Sequence, residues 1–150
     1  MDSETSVEPS SGFVQEFVGA VVVGTDGKIL CQLRDDIPGI QFPGRWTCSP
    51  GGHMEAGEVP RQAILRELQE EFGIEVERLE LLDSFSESEA SVKGTYHAFM
   101  AKLKTPEDQV RCYEGQEARL FAPEIIPTLN LHPVSLKIFN KYLERQRDAS

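Results

Sequence analysis

The sequence has few cysteines, and their arrangement excludes a disulfide framework. The 150 residues contain Cys31, Cys48 and Cys112, an odd number at wide spacing. Disulfide-rich domains and CxxC-type zinc sites need paired or closely spaced cysteines. We therefore expect buried free thiols. Cys48 lies near His53, but neighbours beside a Gly-Gly turn do not form a catalytic dyad, so a cysteine hydrolase is a poor interpretation.

Long apolar runs are also missing. No run approaches the roughly 20 residues that a membrane-spanning helix needs. Residues 1–10 are acidic and Ser-rich, without the basic and apolar regions of a signal peptide. We expect a cytoplasmic protein with no membrane partner, a disordered tail over residues 1–12 and one domain over residues 13–150. A chain of this length suits a single hydrophobic core.

Basic residues are also scarce. There are 15 Lys and Arg residues against 25 Asp and Glu residues, which gives a formal net charge of −10. Such a surface repels a polyanion, so we expect no nucleic acid polymer as a partner. A small phosphorylated ligand remains compatible with this charge if bound cations neutralise both sides of the contact.

The distribution of apolar runs and turn residues predicts a mixed α/β domain. A Gly-Thr-Asp-Gly turn at residues 24–27 predicts a hairpin between the first two strands. Residues 35–45 and 104–116 are predicted loops, and residues 123–130 are predicted to be irregular. The predicted strands are 16–23, 28–34, 46–49, 79–87, 95–103 and 118–121.

Two helices are predicted. The helix 60–72 begins at a proline and ends before Gly73, which suits its stop. Val59 is a poor N-cap, although Gln62 supplies half of a capping box. The second helix, 134–145, is amphipathic. Its expected core contacts are Leu136, Ile138, Phe139 and Leu143.

The first helix carries three glutamates on one side. At 100° per residue, Glu67, Glu70 and Glu71 share an arc of about 100°. Like charges at this spacing destabilise a helix by roughly 0.2–0.5 kcal/mol per pair, and Arg66 offsets part of this through Glu70. A divalent ion such as Mg²⁺ or Mn²⁺ would relieve the rest. The adjoining apolar face consists of Ile64, Leu65, Leu68 and Phe72.

A solvated acidic face is the alternative interpretation, because Glu-rich helices are common. The flanking residues favour a site instead. Gly51 and Gly52 precede the helix and can bring the backbone close to a ligand. Glu58 lies at the helix entrance, and Gly73 and Ile74 close the segment.

With these flanking residues, the segment resembles the catalytic box of the Nudix hydrolase family. The box is Gly, five residues, Glu, seven residues, Arg-Glu, an aliphatic, any residue, Glu-Glu, any residue, Gly and an aliphatic. The resemblance covers about residues 15–145 and implies an α/β fold, the Nudix-type α/β/α sandwich with a mixed sheet between helices. The matching residues are Gly52, Glu58, Arg66, Glu67, Leu68, Glu70, Glu71, Gly73 and Ile74.

The resemblance also implies roles. Arg66 would orient Glu67, and Glu58 would steady the loop or bind a second ion. The segment from Glu114 to Gln116 is similar to the Glu-Gly-Gln loop of MutT-type members, with Glu117 as the fallback carboxylate. The implied ligands of Mg²⁺ or Mn²⁺ are the Gly52 carbonyl and the carboxylates of Glu58, Glu67, Glu70, Glu71 and Glu114.

The implied mechanism is attack of a metal-activated water on a phosphorus of a diphosphate linkage. Glu67 or Glu114 would accept the proton of that water. The other candidate catalytic residues are Arg66 and Glu70.

Candidate substrate contacts lie just before the box. Phe42 or Trp46 could stack on a base, although Trp46 is more readily a core residue. Arg34 or Arg45 could contact phosphate. Gly51 and His53 border the predicted ion site.

Three functions follow from the resemblance. The first is hydrolysis of a nucleoside diphosphate linked to a group X, such as a sugar. The second is MutT-like hydrolysis of (deoxy)nucleoside triphosphates in nucleotide-pool housecleaning. The third is a non-catalytic nucleotide-sensing module, which the intact set of box carboxylates disfavours. Several family members dimerise, which leaves a homodimer open.

Overall fold

The computed structural model describes residues 14–149, so the predicted tail over residues 1–12 lies outside the described residues. Two α-helices occur among these residues, α1 (Pro60–Phe72) and α2 (Pro133–Ala149), and no helix of the described part is long and apolar enough to cross a membrane. The strands are β1 (Glu16–Val23), β2 (Ile29–Leu33), β3 (Trp46–Thr47), β4 (Gly51–His53), β5 (Val76–Glu87), β6 (Gly94–Leu103) and β7 (Glu117–Phe121).

The strands form one mixed sheet around β1. The order is β3-β2-β1-β6-β5, while β4 pairs with β1 and β7 pairs with β2. Among the strand pairs of residues 14–149, β1 and β6 run parallel and the other pairs are antiparallel. The Val- and Ala-rich sequence of β1 is typical of a strand buried on both faces. The predicted β1–β2 hairpin is confirmed by the pairing of Val23 with Ile29.

Side-chain alternation in β1 divides the core between two faces. Val18, Ala20 and Val22 pack in the cluster that includes the apolar residues of α1. Val21 belongs to the opposite cluster, which contains Phe139 of α2. This arrangement of helix, sheet and helix confirms the predicted α/β/α sandwich.

Three of the four predicted core contacts of the second helix are confirmed, because Ile138 and Phe139 are buried and Leu143 packs against the same cluster. The prediction is wrong for Leu136. Leu136 is 39% exposed, whereas Val134, Ser135 and Tyr142 are buried. At 100° per residue, Ile138, Tyr142 and Ser135 cluster within about 60°, and Leu136 lies roughly 100° beyond them. The prediction counted apolar residues, but the buried arc includes a serine and a tyrosine.

The cysteines follow the prediction at two of three positions. Cys31 and Cys48 are fully buried, as expected of free thiols. Cys112 is exposed on the loop before β7, so the prediction of a buried thiol is wrong there. Its hydrogen bonds go to the backbone carbonyls of Glu114 and Gly115, within its own loop.

Candidate active site

The junction between β4 and α1 brings backbone and carboxylate into contact. A Cβ atom on Gly51 would lie 1.9 Å from the carbonyl oxygen of Val18 in β1. A Cβ atom on Gly52 would lie 2.4 Å from Oε2 of Glu67. Only glycines allow β4 to pair with β1 while its backbone touches the helix carboxylate.

The α1 glutamates are more deeply placed than an exposed acidic face would be. Glu67 is 9% exposed and Glu71 is 3% exposed, whereas Glu70 is exposed. The sequence placed all three beside the apolar face. The structure puts Glu67 and Glu71 inside the buried arc and leaves the apolar Leu65 42% exposed.

Arg66 connects the carboxylates to the loop before the helix. Its Nε and Nη2 atoms donate to both carboxylate oxygens of Glu58 at 2.6 and 2.9 Å. Nη1 donates to Glu67 and Glu70 at 3.3 and 3.2 Å, and Nη2 also reaches the carbonyl of His53 at 3.1 Å. These bonds lower the pKa of Glu58 to about 2, so that carboxylate is ionised at neutral pH.

The carboxylate of Glu71 is buried without a full set of hydrogen-bond partners. Its Oε1 atom has no hydrogen-bond partner within residues 14–149. Burial, followed by the charges of Glu67, Glu114 and Glu70, raises the pKa of Glu71 to about 9. Burial also raises the pKa of Glu67, against the opposing effect of Arg66. A bound cation would stabilise a buried acceptor that lies among like charges.

These residues fit a hard divalent ion. Carboxylate and carbonyl oxygens are the ligands that Mg²⁺, Mn²⁺ and Ca²⁺ prefer. Among residues 14–149, no three acidic, imidazole or thiol groups are close enough to hold an ion alone. Donors of another kind, such as the Gly52 carbonyl, water or phosphate, would therefore belong to the coordination shell.

The loop at Glu114 reaches the same region from the far end of the chain. The Gln32 side chain donates to the Glu114 carbonyl at 2.9 Å and fixes the loop to β2. The Glu114 charge acts on both Glu67 and Glu71, and Glu114 lines the adjacent cleft. The fallback residue Glu117 is instead ion-paired with Arg119 in β7. The structure therefore brings Glu114, rather than Glu117, to the α1 carboxylates.

A cleft of about 1240 Å³ borders this site. One side is formed by β2, β3 and the start of α2, and it is largely polar. Its residues include Gln32, Thr47, Ser49, His132 and Ser135. The other side is formed by β1, β6 and the β5–β6 connection. Its residues include Phe17, Ser91, Lys93 and Tyr96.

Half of the predicted substrate residues line this cleft. Gly51, His53 and Arg34 do so. The His53 ring contacts Phe17, with 4.5 Å between centroids. Arg34 donates through Nε and Nη2 to the backbone carbonyls of Gln41 and Phe42, so part of its guanidinium stabilises the β2–β3 loop.

The other three residues contact protein instead of the cleft. Phe42 packs edge-on against His132, and the Arg45 guanidinium lies 5.6 Å from the Phe42 ring centroid. Arg45 also donates to the Leu131 carbonyl. The half-buried Trp46 packs against Phe121, as its interpretation as a core residue predicts.

The sequence did not identify Gln32, Ser135 or Lys93 as parts of the site. Gln32 interrupts a β-rich run, but a glutamine in a strand is only a weak sign that its side chain holds a distant loop. Ser135 is 2% exposed on a helix whose polar positions usually face solvent. Lys93 lies in a connection with no motif of its own.

The chain is similar to known proteins in sequence and in fold. A family model described as the NUDIX domain matches residues 15–142. An RNA pyrophosphohydrolase of Gluconacetobacter diazotrophicus is 46% identical over 59 residues, 37% of this chain and 35% of that protein. An 8-oxo-dGTP diphosphatase of Proteus vulgaris is 60% identical over 62 residues, 37% of this chain and 54% of that protein. The chain thus spans between a third and about half of these relatives.

A solved structure extends the likeness over nearly the whole fold. The NUDIX domain of Shewanella oneidensis NrtR, complexed with ADP ribose, has a TM-score of 0.74. The two chains are 19% identical, and the match covers 94% of each. At this identity the likeness concerns the fold alone.

Proposed function

The chain belongs to the Nudix family, and from that premise we propose that it is a Mg²⁺-dependent pyrophosphohydrolase that cleaves a nucleoside diphosphate linked to a group X. The observation that carries the hydrolytic proposal is the buried carboxylate of Glu71, whose Oε1 is unpartnered within residues 14–149. All box carboxylates are present, which disfavours the non-catalytic alternative.

The residues that would hold the ion are those around the β4–α1 junction. The candidate ligands are the Gly52 carbonyl and the carboxylates of Glu67, Glu70, Glu71 and Glu114, with Glu58 held by Arg66. Fewer than three of these carboxylates would share one ion in this arrangement, and water or phosphate oxygens would complete its shell. When bound, the cation supplies charge neutralisation at phosphate oxygens and activation of the attacking water. Manganese offers the same oxygen-ligand chemistry.

Protein groups would position the reaction. Arg66 fixes Glu67 relative to Glu58 and to the His53 carbonyl, so three parts of the site share one guanidinium. Glu67 or Glu114 would take the proton of the attacking water. Glu67 is held by Arg66, whereas Glu114 is an exposed loop residue whose backbone is fixed by Gln32.

The size of the cleft supports a substrate with groups on both sides of the diphosphate. Its volume of about 1240 Å³ exceeds the roughly 300–1,000 Å³ of common ligand pockets. Hydroxyl and amide groups lie on the β2–β3 side, and Ser91 and Lys93 lie on the β5–β6 side. Lys93 has no ion pair with any other residue of 14–149, whereas nearby Glu87 pairs with Lys137. A polar group X, such as a sugar, would therefore meet polar and charged side chains in the cleft.

A MutT-like (deoxy)nucleoside triphosphatase is the second candidate. The Proteus vulgaris relative carries the name of such an activity. The effect of the Glu114 charge on Glu71 supports the resemblance of this loop to the Glu-Gly-Gln loop of MutT-type members. The names of other relatives point to RNA. The net charge of −10 opposes binding of a polymer, so we propose a small nucleotide substrate.

Product analysis separates these functions. The protein is incubated with Mg²⁺ and nucleotide sugars, nucleoside triphosphates, 8-oxo-dGTP or a 5′-triphosphorylated oligonucleotide, and the products are resolved by chromatography. Two monophosphates from a nucleotide sugar support the proposal. Pyrophosphate from triphosphates alone identifies the second candidate, pyrophosphate from the oligonucleotide alone contradicts the small-substrate proposal, and tight binding without products identifies a sensor.

A further inference from the structure

Two buried cysteines lie close to the cleft, Cys31 in β2 and Cys48 directly after the end of β3. The antiparallel register of β2 and β3 pairs Gln32 with Thr47 and Leu33 with Trp46. Continuing this register by one position sets Cys31 opposite Cys48. Both are fully buried in one apolar cluster on the α2 side of the sheet. Their side chains therefore point to the same face.

The hydrogen-bond pattern determines their spacing. The Arg34 amide donates to the Arg45 carbonyl at 2.9 Å, which makes that position a hydrogen-bonded pair. Alternation then makes the Cys31–Cys48 position a non-hydrogen-bonded pair. In agreement, the Cys48 amide donates to Oγ of Ser135 at 2.7 Å. Cα atoms in such pairs lie about 4.5 Å apart, within the roughly 4.4–6.8 Å seen in disulfides.

Cys48 is also close to the substrate cleft. Its Sγ atom lies 3.0 Å from Oγ of Ser135, and Ser135 lines the cleft. One side chain therefore separates the thiol from a small molecule in the cleft. Burial raises the pKa of both thiols, that of Cys48 to about 11, and the Ser135 hydrogen bond opposes the rise at Cys48.

We propose that Cys31 and Cys48 form a reversible disulfide when a peroxide enters the cleft, and that this bond switches off the hydrolytic site. The loss of activity rests on the proposed function, whereas formation of the bond does not. Cys48 sulfur attacks a peroxide oxygen, forming a sulfenic acid and releasing water. Cys31 sulfur then attacks Cys48 sulfur, and a second water leaves. Two thiols lose two electrons and two protons, and one peroxide becomes two waters.

The bond would displace the strand that leads into the site. Disulfides favour Cα separations of about 5.5–6 Å, roughly 1 Å more than the paired strands provide. Cys48 also gives up its contact with Ser135. It precedes Gly52 by four residues, so the shift passes directly into the Gly51–Gly52 backbone. A misplacement of about 1 Å can lower turnover by up to ~10²-fold.

The experiment uses the full chain in a Cys112→Ser background, because exposed Cys112 would react with peroxide first. Native protein is treated with hydrogen peroxide, quenched and digested without reductant, and the peptides are analysed by mass spectrometry. We expect a peptide pair linked through Cys31 and Cys48. Mg²⁺-dependent turnover is expected to fall at least about tenfold and to return with dithiothreitol.

The control variants are Cys31→Ala and Cys31→Val, which both lack the Cys31 thiol that would close the disulfide. Val retains more of the core volume if Ala fails to fold. Neither is expected to lose activity in the reversible manner of the parent. Peroxide that leaves Cys31 and Cys48 unlinked would overturn the proposal, as would a linked pair that keeps full turnover.

The two readouts separate this inference from the proposed function. If reduced protein hydrolyses no nucleotide, the proposed function fails. The switch as proposed then fails with it, although mass analysis still decides whether the bond forms. If reduced protein is active and peroxide leaves the thiols unlinked, only the switch fails.

Discussion

At the scale of single residues, the site depends on charges that the fold holds in place without fully neutralising them. Arg66 satisfies Glu58 with two bonds and reaches Glu67 and Glu70 with a third nitrogen. Glu71 receives none of these bonds. The protein thus orders one part of the acidic cluster and leaves another for a cation.

Arg66→Lys tests the orienting role. Lysine is a point charge and cannot reproduce the two-bond contact with Glu58 while reaching the other partners. We expect turnover to fall by about 10–100-fold, the usual effect of losing a partner that orients metal ligands. Steady-state kinetics at saturating Mg²⁺ gives the measurement.

Arg61→Lys is the matched control for this substitution. Arg61 lies on the same helix, but among residues 14–149 it donates only to the Leu79 carbonyl. Turnover close to the parent value is expected. Equal losses in the two variants would mean that arginine supports the helix generally and does not orient Glu67.

At the scale of elements, the junction of β4 and α1 leaves little room for a side chain at either of its two glycines. The box glycines could be predicted from the sequence, but their physical reason could not, because it depends on Val18 and Glu67 from other elements. The pairing of β4 with β1 was likewise missed. A three-residue strand containing two glycines has no β-propensity that would reveal it.

Gly52→Ala tests the close approach. Its new methyl group would meet Oε2 of Glu67, so we expect a loss of about 1–3 kcal/mol in the free energy of unfolding and a large fall in turnover. Glu67→Asp shortens the obstructing side chain. Denaturant unfolding of both single variants and the double variant should show a coupling of about 0.5–3 kcal/mol. Additive losses would contradict the contact.

We expect His132, which lies just before α2, to make the stability of the protein depend on pH. Burial, helped by Arg34 and Arg45, lowers the pKa of His132 to about 4. The unfolded chain binds this proton near pH 6.5, so the free energy of unfolding should fall as the pH drops from about 6.5 to 4. The fall should amount to about 1–3 kcal/mol and contain no further contribution from His132 below pH 4. Urea unfolding across this range measures it.

His132→Asn is the informative variant for this prediction. His132 Nδ1 accepts the Val134 amide at the helix start, and an asparagine oxygen can serve there without titrating. Its free energy of unfolding should depend less on pH than that of the parent. An unchanged pH profile would show that other groups cause the acid sensitivity.

At the scale of the whole molecule, distant parts of the chain assemble the cleft. Local sequence patterns were sufficient to predict α1, the hairpin and a mixed α/β domain, whereas the sandwich was implied by the family resemblance. It could not reveal that Gln32 holds Glu114 across 82 residues, or that Ser135 lies against Cys48. Such contacts follow from sheet order and helix packing. The substrate residues were predicted because they lie close to the box in the sequence. For this reason some of them line the cleft, whereas the others stabilise loops.

Lys93→Met tests which side of the cleft receives group X. Lys93 is exposed on the β5–β6 side, and we expect its loss to raise KM several-fold for nucleotide sugars with an acidic X. KM for nucleoside triphosphates should change little. Lys104→Met removes an exposed lysine elsewhere and serves as the control. Similar KM changes for both substrate classes would contradict the assignment of X to this side.

The most direct test of the account is Mg²⁺-dependent turnover of Glu71→Gln. Glutamine keeps the size of the side chain but removes the charge that would bind the cation. Loss of several kcal/mol of metal stabilisation predicts a fall in turnover of ~10²–10³-fold, with the cooperative unfolding transition retained. The exposed Glu77→Gln controls for charge and should hydrolyse normally. Near-normal Mg²⁺-dependent hydrolysis by Glu71→Gln would contradict the account.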